Sequence, residues 1–143
     1  MTQPGDAGIT VFGSPGTVVV HNTIVLSGTY PNAIEYRFAQ AAGVQIVNNL
    51  TDAAIVRRDG ASATVTGNYT QAIPAMFLDA PSGDLHLRST ASAVIDRGVT
   101  VSGLSQDWDG QPRIQGLRAD IGADEYDPSA APRESPLKDR GPR

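Results

Sequence analysis

Two aspartates in the C-terminal third of the sequence have the spacing found at the start of many calcium loops. Asp107 and Asp109 are separated by one residue and are followed directly by Gly110. In an EF-hand loop that began at Asp107, the invariant glycine and the bidentate glutamate would fall on Pro112 and Arg118. Neither residue can fill those roles, so the segment is not an EF-hand.

A simpler aspartate cage remains, in which Asp120 is a third ligand and Asp124 or Glu125 supplies a further oxygen. Ca²⁺ prefers oxygen ligands, so Ca²⁺ is the cofactor that this segment would take. The alternative is structural. In that interpretation the aspartates accept hydrogen bonds from turn amides, and Arg113 pairs with Asp96 or Asp120.

The same carboxylates are poor candidates for catalysis. In an extended chain Asp107 and Asp109 would lie roughly 6 to 7 Å apart, in the range of glycosidase acid and base pairs. Gly110 and Pro112 predict a turn, which does not fix that spacing. We therefore assign no catalytic residue to this pair.

Basic side chains give no stronger catalytic pattern. A polysaccharide lyase needs a basic group to abstract a proton, and the predicted strands hold arginines but no lysine. Arg37 is expected to form a solvated pair with Glu35, which would contribute little. The histidines, His21 and His86, are expected to be hydrogen-bonding surface residues.

Two aromatic residues in predicted loops could stack on sugar rings. These are Trp108, the only tryptophan of the chain, and Tyr30. Aromatic rings in loops carry binding function when they face solvent, and they fill a turn or a cap when they do not. Carbohydrate binding at these positions is thus one of two interpretations.

Composition limits the classes of protein to which the chain can belong. Its 143 residues suit one domain, and its net charge of −4 argues against a nucleic-acid-binding surface. Charged residues are only 18%, while glycine and proline are abundant, which disfavours a helical bundle. The absence of cysteine excludes disulfides and thiolate metal sites. The sequence shows neither a signal peptide nor a membrane span.

Three strand-like segments align with a period of two residues, at offsets of 26 and 19 residues. Each has the pattern apolar, any, apolar, any, Asn or Gly, any, apolar. The alignment predicts that Asn22 stacks on Asn48 in a ladder of amides that Gly67 ends. The aligned residues are Val18, Val20, Asn22 and Ile24; Val44, Ile46, Asn48 and Leu50; and Ala63, Val65, Gly67 and Tyr69.

A second kind of strand lies between these segments. Ile34, Tyr36 and Phe38 alternate with Glu35 and Arg37, which predicts apolar side chains inside and charged ones outside. Short strands and turns that repeat every 20 to 27 residues or so indicate a solenoid. We predict an all-β fold, a single-stranded parallel β-helix of about three to four coils with an irregular C-terminal cap. The alternative is an antiparallel β-sandwich.

Four C-terminal motifs occur in a fixed order, and together they resemble the end of bacterial right-handed parallel β-helix proteins of the pectate-lyase-like superfold. The resemblance covers about residues 77 to 126. It implies a right-handed β-helix, secreted or located at the cell surface, whose relatives in some cases cleave or bind polysaccharides. The motifs are Asp84-Leu85-His86-Leu87, Ala93-Val94-Ile95-Asp96-Arg97-Gly98, Asp107-Trp108-Asp109-Gly110-Gln111-Pro112-Arg113 and Asp120-Ile121-Gly122-Ala123-Asp124-Glu125.

The predicted organisation has four parts: a lead over 1–15, β-helix coils over 16–79, a C-terminal coil and cap over 80–126, and a disordered tail over 127–143. The first coil has no predicted cap, so we expect either a fragment of a longer protein or self-association through that open end. The expected function is a non-catalytic structural or carbohydrate-associated module of a larger extracellular protein. The alternative is a Ca²⁺-dependent polysaccharide lyase or glycoside hydrolase.

Overall fold

The structure, a computed structural model, describes residues 7–129 and is built from short strands. Two single-turn 3₁₀ helices, η1 (Pro74–Met76) and η2 (Ala80–Ser82), are the only helices in this part of the chain. The all-β prediction is therefore confirmed. The strands are β1 (Ala7–Phe12), β2 (Val18–Val20), β3 (Thr23–Ile24), β4 (Asn32–Arg37), β5 (Val44–Val47), β6 (Leu50–Thr51), β7 (Ala54–Arg58), β8 (Ala63–Thr66), β9 (Phe77–Asp79) and β10 (Asp84–Leu87).

The first eight strands form three parallel sheets. One sheet has the order β1-β4-β7, the second β2-β5-β8 and the third β3-β6, which Tyr69 extends by a parallel bridge to Leu50. Each sheet takes its strands from three successive stretches of chain, 7–24, 32–51 and 54–69. The parallel pairing excludes the antiparallel sandwich for these strands. The middle stretch is the most buried because it has a neighbour on both sides.

The register between the first two stretches differs by one residue from the predicted alignment. Val19 pairs with Ile46, an offset of 27 residues, whereas Ile46 pairs with Val65 at the predicted 19. A slip of one residue exchanges the two faces of a strand. The predicted stacking of Asn22 on Asn48 is therefore wrong: the residue beside Asn22 is Asn49.

The asparagine ladder exists in this corrected register and continues to Asn68. The side-chain oxygen of Asn49 accepts from the backbone N–H and the Nδ2 of Asn22, at 3.0 and 2.9 Å. The oxygen of Asn68 accepts from Asn49 in the same way, at 2.8 and 2.9 Å. Asn49 is fully buried and also donates to the carbonyl of Val19. The ladder gives hydrogen-bond partners to backbone N–H and carbonyl groups at the turns, which would otherwise be buried without partners.

A second column, one residue earlier in each stretch, has left-handed backbone. His21, Asn48 and Gly67 have φ angles of 51, 55 and 68° and stand directly before the ladder asparagines. A Cβ atom on Gly67 would lie 2.4 Å from the side-chain oxygen of Asn48. His21 and Asn48 have the same left-handed backbone with side chains, so it is the close approach of Asn48 that requires glycine at this position. Gly67 belongs to this column, and the asparagine ladder beside it continues to Asn68.

In β4 the predicted alternation holds only for the apolar residues. Ile34 and Tyr36 are buried, but Phe38, which follows the end of β4, is exposed, so its predicted inward position is wrong. Glu35 is buried, so its predicted exposure is wrong as well. Glu35 accepts from Asn32 at 3.1 Å and lies 3.7 Å from a guanidinium nitrogen of Arg58. Strands in the middle of parallel sheets are commonly covered on both faces, which alternation alone does not predict.

The predicted solvated pair of Arg37 and Glu35 is also not observed. Arg37 forms its ion pair with Asp59, which occupies the left-handed turn after β7. The guanidinium also lies over the rings of Phe12 and Phe38, at 5.7 and 4.9 Å from their centroids. The contacts of Arg37 therefore join three neighbouring turns instead of two residues on one strand.

Residues 70–126 form a second core that lies against the β3-β6 side of the stretches. Leu50 belongs to this core, together with side chains from η1, β9, β10 and the loops that follow, namely Met76, Phe77, Leu87, Val94 and Ile121. Backbone bonds tie it there: the Gly122 N–H donates to Asn48, and the Ala123 N–H donates to the hydroxyl of Thr23. The predicted C-terminal cap thus runs along the side of the first two stretches.

The predicted N-terminal lead over 1–15 contributes a strand, because β1 pairs in parallel with β4 over its whole length. The predicted tail over 127–143 falls mostly outside the described residues, as do residues 1–6. Within residues 7–129, no helix has the length and apolar character needed to cross a bilayer.

Candidate functional site

An exposed indole marks one surface of the C-terminal block. Trp108 is 61% exposed, and its ring packs on that of His86 with centroids 5.0 Å apart and planes tilted by 35°. His86 lies on β10, and its two ring nitrogens contact carboxylate oxygens of Asp84 at 2.5 Å and of Asp109 at 2.9 Å. The histidine is held from both sides, so the indole rests on a fixed ring.

The loop that presents Trp108 is shaped by Asp107. One carboxylate oxygen of Asp107 accepts from the backbone of Asp109 and Gln111, at 3.0 and 2.8 Å. The other accepts from the backbone of Glu125 at 3.0 Å. Gly110 follows with a φ of 82°, which closes the turn. Asp107 therefore has the structural role that the sequence left open, since its oxygens bind turn amides.

The predicted metal ligands Asp107, Asp109 and Asp120 do not gather around one point. Within residues 7–129, the His/Cys/Asp/Glu group whose ligand atoms all lie within 4.8 Å of one another consists of His86, Asp109 and Asp124. An imidazole nitrogen in the set suits a transition metal better than Ca²⁺, which prefers oxygen. This group fits the predicted calcium cage poorly, and calcium binding stays a prediction.

Asp120 and Glu125 are buried carboxyls that are bound to backbone amides. Asp120 accepts from Asp96 and Tyr126, each at 2.7 Å, and burial raises its pKa to about 6. Glu125 accepts from Asp120 at 2.9 Å and from Gln115 at 3.3 Å, and burial raises its pKa to about 7. The loss of hydration outweighs these hydrogen bonds, which favour the charged form.

Arg113 is buried beside Glu125, and the predicted pairing of Arg113 with Asp96 or Asp120 is wrong. A guanidinium nitrogen of Arg113 lies 3.9 Å from a Glu125 oxygen. The same nitrogen, Nη1, donates to the carbonyl of Gly122, and Nη2 donates to the carbonyl of Ala123, each at 3.2 Å. The arginine thus fixes the backbone of the segment that binds the first two stretches.

Asp96 organises a different turn. Its carboxylate accepts from the backbone N–H of Arg118 at 3.1 Å. A Cβ atom on Gly116 would lie 2.4 Å from the same oxygen, so this loop needs glycine to approach Asp96. The structural role predicted for Asp96 fits these contacts.

His21 lies in the interior, contrary to the expected surface position. Its Nδ1 lies 3.2 Å from the Gly122 carbonyl, and its Nε2 lies 3.0 Å from Nδ2 of Asn48. Because Nδ2 of Asn48 can only donate, Nε2 accepts and Nδ1 donates, which is the arrangement of a neutral ring. Burial, followed by the charge of Arg113, lowers the pKa of His21 to about 4.

The sequence did not predict the cavity that lies next to His21. Its volume is about 480 Å³, within the range of small-molecule pockets of about 300–1,000 Å³. Besides His21, its walls come from residues 98–101, Leu104, residues 113–114 and residues 117–119. Among these, Leu117 is 90% exposed, and no periodic pattern in the sequence marks it.

Tyr30, the second predicted carbohydrate-binding residue, is half-buried in the turn between β3 and β4. No described contact brings it to Trp108, so the indole stands with His86 and its two aspartates. Comparisons of the chain with protein-family models, with curated proteins and with solved structures found no match. The resemblance to parallel β-helix proteins therefore stays a prediction.

Proposed function

We propose that this chain is a non-catalytic, carbohydrate-binding module with a right-handed parallel β-helix architecture, part of a larger extracellular protein. Three parallel sheets in which each successive stretch adds one strand support the solenoid. The asparagine ladder and the column of left-handed residues beside it support it too, because both repeat once per stretch. The handedness, the polysaccharide association and the extracellular location rest on the resemblance of the C-terminal motifs.

The observation that carries the binding function is the platform formed by Trp108, His86, Asp84 and Asp109. Sugars present C–H faces, which pack on an aromatic ring, and hydroxyl groups, which donate to carboxylates. Trp108 offers a mostly exposed ring that already packs on His86. Asp109 is adjacent in sequence and bonded to that histidine. The platform is thus ordered before any ligand binds, which lowers the entropic cost of binding.

The contacts of the same residues argue against catalysis by them. A general base needs a nitrogen with a free lone pair, and both ring nitrogens of His86 already face carboxylate oxygens. Asp107 and Asp120 bind backbone amides. The alternative is a Ca²⁺-dependent polysaccharide lyase or hydrolase. Appearance of an ultraviolet-absorbing unsaturated product from polygalacturonate with Ca²⁺ would establish a lyase, and new reducing ends without that absorbance would establish a hydrolase.

Fluorescence provides a direct test of binding, because Trp108 is the only tryptophan. Glycan-array screening first selects oligosaccharides, which are then titrated while the tryptophan emission is followed. We expect a saturable change in emission, and we expect calorimetry to show at least a tenfold loss of affinity for Trp108→Ala and a smaller loss for Trp108→Phe.

Ile73→Ala is the matched control for this test. Ile73 is another exposed apolar residue, and it makes no described contact with the platform. We expect its affinity to equal that of the unsubstituted chain. Binding that survives Trp108→Ala unchanged, or no glycan binding at all, would overturn the proposed function.

Self-association through the first stretch is part of the same proposal. Among the described residues β1 pairs only with β4, and β2 only with β5, so the outer edge of each strand has no strand partner. Edges of this kind readily pair with a second chain. Sedimentation velocity at increasing concentration tests it: we expect dimers, which a proline at the outward-facing Thr10 should abolish.

A further inference from the structure

The cavity beside His21 has walls of two different characters. Its aliphatic side comes from Val99, Leu104, Ile114 and Leu117, all of which are exposed. Four exposed aliphatic side chains around one concave surface are unusual, because scattered exposed apolar residues do not normally converge. The walls are therefore suited to the hydrocarbon part of a ligand.

Two arginines form the polar side of the cavity. Arg113 is only 7% exposed, and its Nε–H is buried with no hydrogen-bond partner among the described residues. Arg118 is exposed at the cavity, and in the described part of the chain its guanidinium makes no ion pair. An unsatisfied buried N–H is costly, and buried polar groups nearly always have a partner.

The charged groups around the cavity favour the binding of an anion. Among the described residues Arg113 forms its ion pair with Glu125, whose carboxylate oxygen lies 3.9 Å from Nη1. His21 is neutral in its hydrogen-bonding pattern, so it adds no charge. Asp96 binds the backbone of Arg118 and not its guanidinium. A carboxylate matches guanidinium groups well in geometry and charge.

We propose that this cavity binds a small organic carboxylate, with its hydrocarbon part against the four aliphatic side chains and its carboxylate held by Arg118 and Arg113. An inorganic phosphate would leave the aliphatic walls in water. A neutral apolar molecule would leave the guanidinium of Arg118 without an ion pair among the described residues. The inference is independent of the proposed function, because Trp108 and His86 do not line the cavity.

A carboxylate series provides the test on the full chain. Butyrate, hexanoate and octanoate are titrated while backbone amide shifts are followed by NMR. Hexanamide serves as the neutral probe, and acetate as the anion without a hydrocarbon part. We expect saturable shifts for at least one of the longer acids, confined to residues 98–104 and 113–119, and at least tenfold weaker binding of hexanamide and acetate.

Variants separate the two walls of the cavity. Arg118→Gln removes the exposed guanidinium and Leu117→Ser removes the most exposed aliphatic side chain, and each should weaken binding about tenfold. Arg97→Gln is the matched control, since Arg97 is an exposed arginine that does not line the cavity, and it should leave affinity unchanged. All three substitutions lie on the surface and should preserve the fold.

The proposal is overturned if none of the acids gives saturable shifts up to about 10 mM. It is also overturned if hexanamide binds as well as hexanoate, or if Arg118→Gln and Arg97→Gln have equal effects. Failure of glycan binding at Trp108 would leave this result untouched, because the two sites share no residue.

Discussion

The asparagine ladder allows the register of the first two stretches to be measured in solution. A double-mutant cycle pairs Asn22→Ala with Asn49→Ala, and a second cycle pairs Asn22→Ala with Asn48→Ala. The structure places the amide of Asn22 on Asn49, with the Nδ2 to Oδ1 distance at 2.9 Å. Asn48 instead contacts His21 and the backbone of Val99.

The expected magnitudes follow from the bonds that each substitution removes. The Asn22→Ala change deletes one side-chain bond to Asn49, so the coupling free energy of the first cycle should be about 1 kcal/mol. Asn49→Ala alone should lower the free energy of unfolding by about 3 kcal/mol, because it removes the side-chain donor to the buried Val19 carbonyl and the acceptor of the Asn22 backbone N–H. The Asn68 oxygen keeps the backbone N–H of Asn49 as a donor. The second cycle should be additive within about 0.5 kcal/mol.

Urea unfolding followed by circular dichroism gives the free energies of unfolding for both cycles. Asn49→Ser replaces Asn49→Ala if the alanine variant is too unstable, and it predicts the same sign of coupling. A coupling between Asn22 and Asn48 that exceeds the coupling between Asn22 and Asn49 would refute the register and the ladder drawn from it.

Three further predictions concern titration, backbone strain and calcium. Burial raises the pKa of Glu125 from 4.5 to about 7, so its protonated form stabilises the fold at low pH and that stabilisation is lost as the pH rises through about 7. The free energy of unfolding of Glu125→Gln, relative to that of the unsubstituted chain, should therefore rise by about 2 kcal/mol between about pH 5 and pH 8. Urea unfolding at both pH values measures this, and a difference that does not change with pH would contradict it. Gly67→Ala should lower the free energy of unfolding by at least about 2 kcal/mol, because the new Cβ would collide with Asn48. Gly28 has a similar φ but open space around it, so Gly28→Ala should lower it by about 1 kcal/mol. Equal losses of stability in thermal unfolding would count against the close contact. Because the oxygens of Asp107 bind backbone amides, we expect millimolar Ca²⁺ to leave the melting temperature unchanged, and a rise abolished by Asp107→Asn would show that the calcium cage forms after all.

Local patterns in the sequence were sufficient for the strand class and its direction. Alternating apolar residues and turn residues around Val18–Val20, Val44–Val47 and Ala63–Thr66 predicted strands that stack in parallel, and these strands pair in that way. The pattern selected the wrong offset, because Asn48 fits the motif, whereas in the observed register two of its apolar positions are taken by Gln45 and Thr51. Val47 pairs with Val20 before the turn and Leu50 pairs with Thr23 after it, and these two pairings place Asn49 beside Asn22.

The partners of charged side chains were decided by tertiary structure. No sequence pattern predicts that Arg113 lies beside Glu125, or that Arg37 pairs with Asp59 from the next stretch. His21 is buried because residues 120–123 pass over it, about a hundred positions later in the chain. Contacts of this range depend on where a loop folds back, and periodicity carries no information about that.

By itself, the sequence determined that the chain forms short parallel strands with polar turns, since strand formation depends on the alternation and turn chemistry of neighbouring residues. It also singled out the loop of Asp107 to Arg113, where the exposed Trp108 lies. Only the tertiary structure decided which face of each strand is buried and which carboxyl groups are removed from water. It also decided that residues 98–101, 113–114 and 117–119 meet to form a cavity. Those outcomes depend on the packing of segments that are remote in sequence, where a shift of one residue exchanges the inside for the outside.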